Sequence, residues 1–284
     1  MKRWGMSCGA AALAIAAVVA FQAAADTPPV ALKTTEFGKG PTVVLLHSVG
    51  SGRMVWMPTA RKLLTGSHVV MMDLPGHGES ALPDPFSLAA CAEALDQALA
   101  KQNRDSTVLV AHGFAGVIGL LEAQAHPDRL KGLMVIDAPT RTSKIPEQQQ
   151  QYYIQALDEH YDEFLKQMMR MQARDSTQAN ELYSQAQTVP AASIKAYFKA
   201  ALNVDASSAL KNMRPNFLFV GTGAAWPDTT TWPTIAKMFG YEDGAGIQAR
   251  RLAAGGPLVM KEQPDSLAAV IRDFTARSLA GKKK

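Results

Sequence analysis

Thr42-Val43-Val44-Leu45-Leu46 is a short, unbroken run without a charge, rich in β-branched residues, as a strand buried on both faces should be. Four comparable runs follow at residues 68–72, 107–111, 133–136 and 216–220. Between them lie stretches with helical spacing, at residues 56–64, 88–102 and 114–125. The last stretch, 264–278, sets Leu267, Val270, Ile271 and Phe274 on one face with Asp265 near its start. Such alternation predicts an α/β fold with a mostly parallel central sheet flanked by helices on both sides. A chain of 284 residues, 47% apolar and 19% charged, is long enough to bury a large core, which excludes a disordered or fibrous protein.

The pattern changes over residues 139–213, where no strand-like run occurs. Ile154, Leu157, Tyr161, Phe164, Met168 and Met171 recur at spacings of three and four, which predicts one long amphipathic helix. Shorter helical stretches follow near 177–187 and 191–203. An all-helical insertion between two strands reads as a cap, or lid, over the ligand end of the sheet. Its Met and aromatic residues read first as packing, although methionine also suits adaptable apolar pockets.

The amino terminus has the form of a targeting segment. Lys2 and Arg3 precede an apolar run over residues 9–21, followed by Ala23-Ala24-Ala25. This arrangement predicts a signal peptide at 1–25, cleaved after Ala25, and a periplasmic or secreted protein. The run is shorter than the roughly 20 residues a membrane span needs, so no integral span is expected after cleavage. Cys8 would leave with the signal, and Cys91, alone on a helical stretch, reads as a small buried apolar group. The formal charge of +4 belongs mostly to the ends: without Lys2, Arg3, Lys282, Lys283 and Lys284, 24 basic residues face 25 acidic ones. A nearly neutral body argues against a nucleic-acid partner. The expected layout is a core from 26–138 and 214–281, interrupted by a cap at 139–213.

Four motifs carry more specific information. They are Val43–Gly50 (VVLLHSVG), Met72–Ser80 (MDLPGHGES), Val108–Gly116 (VLVAHGFAG), and Gly255-Gly256-Pro257 running on to Glu262-Gln263-Pro264. Together they resemble the α/β-hydrolase fold superfamily, in the group with a helical cap, over roughly residues 30–280. The resemblance identifies the first motif with the strand and oxyanion-hole turn, usually His-Gly-x-x. The second resembles the Asp-x-x-Gly-x-Gly-x-Ser turn. The third stands where the nucleophile elbow belongs, and the fourth where the catalytic His loop does.

At the positions the resemblance assigns to the triad, this chain reads Gly113 for the nucleophile, Ala224 for the acid and Pro257 for the base. Glycine adopts the left-handed backbone of an elbow freely but has no atom with which to attack. Asp228, four residues beyond Ala224, would serve only if its loop folded differently. None of the six histidines lies beyond His160, so no shift of alignment supplies a base after Pro257. The expected remainder is a pocket in which the backbone N–H groups of Val49 and Phe114 form an oxyanion hole, with Ser48, His112 and His47 around it; the alternative is that Gly113 only tightens the turn and the cavity has filled.

The leading expectation is therefore a triad-degenerate pseudohydrolase that binds a small carbonyl- or carboxylate-bearing ligand, with no cofactor and no metal. An esterase-like hydrolase or lyase using Ser48, His47, His112 or Asp137 is the alternative, and a structural protein whose cap binds a partner is another. His47 and His112 read mainly as structural. His77 and Asp73 lie in a Gly/Pro turn whose spacing does not make a metal site, and no Walker loop, Rossmann glycine pattern or zinc spacing occurs. Oligomeric state is not legible.

Overall fold

Every one of the five apolar runs forms a strand. The computed structural model describes residues 30–280 except Ser143, Lys144, Asp243 and Ala245; the expected signal segment lies outside the described residues. Seven strands build one sheet: β1 (Thr34–Gly38), β2 (Thr42–Leu46), β3 (His68–Met72), β4 (Thr107–His112), β5 (Gly132–Ile136), β6 (Asn216–Thr222) and β7 (Gln248–Leu252). Their order is β1-β3-β2-β4-β5-β6-β7, and all pairs are parallel except β1 with β3. The two strands absent from the sequence reading, β1 and β7, are the sheet edges. Edge strands are half solvated, and sequences such as Gln248-Ala249-Arg250-Arg251-Leu252 lack the apolar run that marks a central strand.

Alternation along β2 divides the core into two layers. Val44 and Leu46 pack with Cys91, Leu95 and Leu99 of α2 (Leu88–Leu99) and with Val117 and Ile118 of α3 (Ala115–Ala125). Val43 and Leu45 face the other way, toward Trp56, toward Leu63 of α1 (Met57–Leu63), and toward residues of the last helix including Leu267, Ile271 and Phe274. Cys91 is fully buried, and burial pushes its thiol up to about 11.

Between β5 and β6 the described residues form four α-helices, α4 (Glu147–Glu159), α5 (Tyr161–Gln172), α6 (Ser176–Ala186) and α7 (Ala191–Ala201). The single long helix expected through Ile154 and Met171 is thus two. His160, at φ −130° and ψ 46°, ends α4 and begins α5. The break shifts the buried stripe: Leu165 and Met169 face inward, whereas Met171 is 66% exposed. Spacings of three and four cannot reveal such a turn, because the apolar rhythm continues across it. Leu165, Met169, Ala186, Val189 and Ile194 form a small core of their own that rests on Val49. Tyr197 of α7 reaches deeper, its hydroxyl donating to the Pro75 carbonyl at 3.1 Å and lying 3.4 Å from Cys91 Sγ.

The carboxyl-terminal part adds α8 (Trp232–Phe239), α9 (Val259–Glu262) and α10 (Pro264–Leu279). No helix among the described residues is long and apolar enough to cross a membrane.

One core group works against stability. Glu122 of α3 is fully buried, and neither carboxylate oxygen has a hydrogen-bond partner among the described residues. Burial, reinforced by the Asp96 charge, raises its pKa to about 8, with Arg129 opposing weakly. Asp96 itself is held bidentately by Arg129, at 2.5 and 3.1 Å. Glu93, Asp96 and His126 form an acid/histidine trio here, at the far end of α3 from the carboxyl-terminal ends of the strands. Folded Glu122 keeps its proton up to about pH 8 whereas the unfolded side chain loses it near 4.5, so stability falls as pH rises through that window. Glu122→Met should raise the urea midpoint by the equivalent of about 1–3 kcal/mol at pH 8, and by less at pH 5. An equal gain at both pH values, or a loss, would show that the carboxylate has a partner in the fold.

Candidate ligand-binding site at the strand ends

β2 ends at Leu46 and the chain turns through His47, Ser48, Val49 and Gly50. His47 is buried with both ring nitrogens engaged: Nδ1 donates to the Ser48 carbonyl at 2.8 Å, and Nε2 accepts the Leu74 N–H at 3.0 Å. His77 does the same one layer away, donating from Nδ1 to the Pro75 carbonyl at 3.0 Å and accepting the Gly50 N–H at 3.2 Å. Burial lowers the His77 pKa to about 3, and the neighbouring His47 adds to the effect. With all four ring nitrogens on backbone groups, the two imidazoles fix the turn from behind.

The Gly-rich motif completes that support. Asp73 accepts from the Arg53 N–H at 2.7 Å and the Glu79 N–H at 3.2 Å, and pairs with the Arg53 guanidinium. His47 Nε2 lies 3.7 Å from Asp73 Oδ1, and because it already accepts from Leu74 it is an electrostatic neighbour rather than a donor. Burial alone would raise the Asp73 pKa; these polar neighbours outweigh it and hold the carboxyl well below the usual range. Gly78 is required here, since a Cβ on it would fall 2.1 Å from Asp73 Oδ2.

β4 ends at His112, and Gly113 forms the turn into α3 with φ +56°, its N–H donating to the Ile136 carbonyl at 2.8 Å. Among the described residues the N–H groups of Val49 and Phe114 have no hydrogen-bond acceptor. Ser48, Val49, Gly113 and Phe114 keep partial exposure, while His47 and His112 are buried behind them. Burial, with His47 nearby, lowers the His112 pKa to about 4. The structure thus brings Ser48 onto Gly113 and sets the histidines in supporting places.

Ala224 lies exposed beyond β6, its N–H donating to the Gly255 carbonyl at 3.3 Å, and Asp228 is exposed further along. The acid at the strand ends is instead Asp137, the one non-glycine residue with positive φ (48°) among the described residues. It accepts from the Thr222 N–H at 2.8 Å and the Thr222 hydroxyl at 2.7 Å. Burial raises its pKa to about 6 against those hydrogen bonds. Asp137 therefore ties β5 to β6.

Pro257 lies in a loop fastened to the helical insertion. The Gly256 N–H donates to Glu262 Oε2 at 2.5 Å, while Oε1 of Glu262 accepts from Gln178 and pairs with Arg174 at 3.3 Å. Lys261 pairs with Glu181 of the same α6. Sequence reading missed this clasp, because Gln178 and Glu262 lie 84 residues apart and no local pattern joins them. On the outer side of the 50–53 turn, an open groove of about 630 Å³ runs between Met54, Met57 and Arg61 on one wall and Gln185 and Thr188 on the other.

The sequence pattern of the family described as "Alpha/beta hydrolase family" matches residues 43–271. A pimeloyl-[acyl-carrier protein] methyl ester esterase from Pseudoalteromonas atlantica is 33% identical over 115 residues, 40% of this chain and 43% of that protein. The match therefore spans less than half the length of that curated relative. A hydrolase from Oleispira antarctica superposes with a TM-score of 0.72 at 17% identity, covering 86% of this chain and 94% of its own. A thermophilic esterase from Thermogutta terrifontis gives 0.71 at 20% identity, covering 88% and 94%. At such identities these two structures establish the shared fold.

The electrostatics of Asp137 can be read from stability. Folded Asp137 keeps its proton to about pH 6 while the unfolded residue loses it near 3.8, so its contribution to stability declines as pH rises between those values. Asp137→Asn keeps an oxygen for the Thr222 N–H and removes that dependence. The variant should gain about 1–2 kcal/mol relative to wild type between pH 4 and pH 7 in paired urea titrations. A relative loss over that range would mean that the ionised carboxylate is the stabilising form.

Proposed function

This chain belongs to the alpha/beta hydrolase family, and from that premise we propose that it binds a small carbonyl- or carboxylate-bearing molecule at the strand ends without hydrolysing it. The observation that carries the reading is Gly113: at the sharp strand-to-helix turn, where the family resemblance places the nucleophile, there is no side chain. Ala224 and Pro257 at the other two positions support it, as does the engagement of the Pro257 loop with α6 through Glu262. A hydrolytic triad needs a nucleophile, a base and an orienting acid together, and losing all three removes the mechanism rather than weakening it. The N–H groups of Val49 and Phe114, with no acceptor among the described residues, suit a ligand oxygen in that place.

Hydrolysis by other residues is the second reading, favoured by Ser48 lying at the turn. It is the weaker one because no nearby imidazole is suited to activate Ser48. Both nitrogens of His47 are engaged, and His112 and His77, with pKa values near 4 and 3, are poor bases at neutral pH. The relative named as a methyl ester esterase supports an acyl group as the chemical class of the ligand. Residues 1–25, from sequence alone, support action outside the cytoplasm.

Purified protein should hydrolyse p-nitrophenyl butyrate no faster than a heat-denatured control. A thermal-shift screen of short-chain carboxylates and their amides should raise the melting temperature, since binding to the native state stabilises by mass action, about 2.7 kcal/mol at a hundred times Kd. Saturable ester turnover that disappears in Ser48→Ala or His112→Ala would overturn the proposal.

A further inference from the structure

A side chain at position 113 and the side chain of Ser48 compete for one volume. A Cβ built on Gly113 falls 2.3 Å from Ser48 Oγ and 2.9 Å from Ser48 Cβ, closer than non-bonded atoms approach. Apart from its chain neighbours, no other heavy atom of the described residues lies within 4 Å of that point. Ser48 therefore fills the space above the elbow, and apart from the elbow's own neighbours it does so alone. The glycine at 113 and the hydroxyl at 48 are two halves of one arrangement, in which the polar group reaches the elbow from the β2 turn instead of from the elbow itself.

We propose that the Ser48 hydroxyl is the ligand-contacting group of this site, standing in for a side chain at 113; the inference rests on the binding reading above and names the residue that performs it. Three observations support the role. The hydroxyl has no hydrogen-bond partner among the described residues, although its residue is only partly exposed. Its backbone is held by the His47 Nδ1–H on the Ser48 carbonyl at 2.8 Å, and the next turn residue but one is held by His77. A hydroxyl on a fixed backbone loses little freedom on binding. It also lies in the same turn as the unaccepted N–H of Val49 and against the residue that precedes the N–H of Phe114. A hydroxyl and two N–H groups, with the histidines holding the turn behind them, recognise an oxygen acceptor: the carbonyl or carboxylate head of a short acyl compound.

The test uses the full chain, sodium hexanoate as the probe, and five proteins: wild type, Ser48→Ala, Ser48→Gly, Gly113→Ser and the Ser48→Gly/Gly113→Ser double variant. Calorimetric titration of wild type should give saturable hexanoate binding, weakened about threefold to tenfold in Ser48→Ala, as expected for one lost hydrogen bond. Gly113→Ser should lower the melting temperature by several degrees more in the presence of Ser48 than in the Ser48→Gly background, because only there do two side chains overlap. The double variant, with its hydroxyl back at 113, should recover hexanoate binding that Ser48→Gly alone has lost. Unchanged affinity in Ser48→Ala would overturn the role of the hydroxyl while leaving the binding reading intact. Absence of hexanoate binding by wild type would overturn both. Equal melting-temperature losses in the two backgrounds would overturn the shared volume.

Discussion

The central strands are apolar on both faces, so polar chemistry has room only where they leave the sheet, and the parallel register decides which residues meet there. Leu46 of β2 pairs with Ala111 of β4, so the residues two positions beyond, Ser48 and Gly113, emerge side by side. His112 likewise pairs with Ile136, which brings Asp137 next to the elbow, and Ile136 with Val220, which brings Thr222 within reach of Asp137. In open α/β sheets this carboxyl-terminal edge is where ligands bind. The contact between Ser48 and Gly113 thus starts from strand pairing and is completed by the two turns that carry them.

Holding a turn at such an edge takes a rigid scaffold, and most of the conspicuous polar residues serve it. His47 and His77 each use both ring nitrogens on backbone groups, and Asp73 gathers the Arg53 and Glu79 N–H groups. Residues that look catalytic in a list are structural when their hydrogen bonds are traced. The helical insertion adds the outer wall. Ala186 of α6 comes within 3.4 Å of a Cβ built on Gly50, and Glu262 links the Gly256 loop to Gln178 and Arg174.

The parts of this arrangement that could be read in the sequence are those written in local chemistry. Thr42–Leu46 and His68–Met72 are strands by composition, and Gly113 stands out because its Ala-His-Gly-Phe-Ala setting is otherwise that of an elbow. The edge strands were hidden because solvation on one side permits residues such as Arg250 and Arg251. The break at His160 was hidden because an apolar rhythm survives a turn. The Ser48–Gly113 overlap and the Glu262 clasp depend on contacts across 65 and 84 residues, which no local pattern encodes. Asp137 was visible as an acid at a strand end, but its role as a tie to Thr222 needed the geometry.

The central claim is that the hydroxyl at the elbow binds and does not attack. Intact-protein mass spectrometry after prolonged incubation with an alkyl fluorophosphonate, which traps activated serines covalently, reads this directly. The account predicts a single unshifted mass, with an active serine esterase in the same tube fully labelled. A stoichiometric adduct that peptide mapping assigns to Ser48 would contradict it.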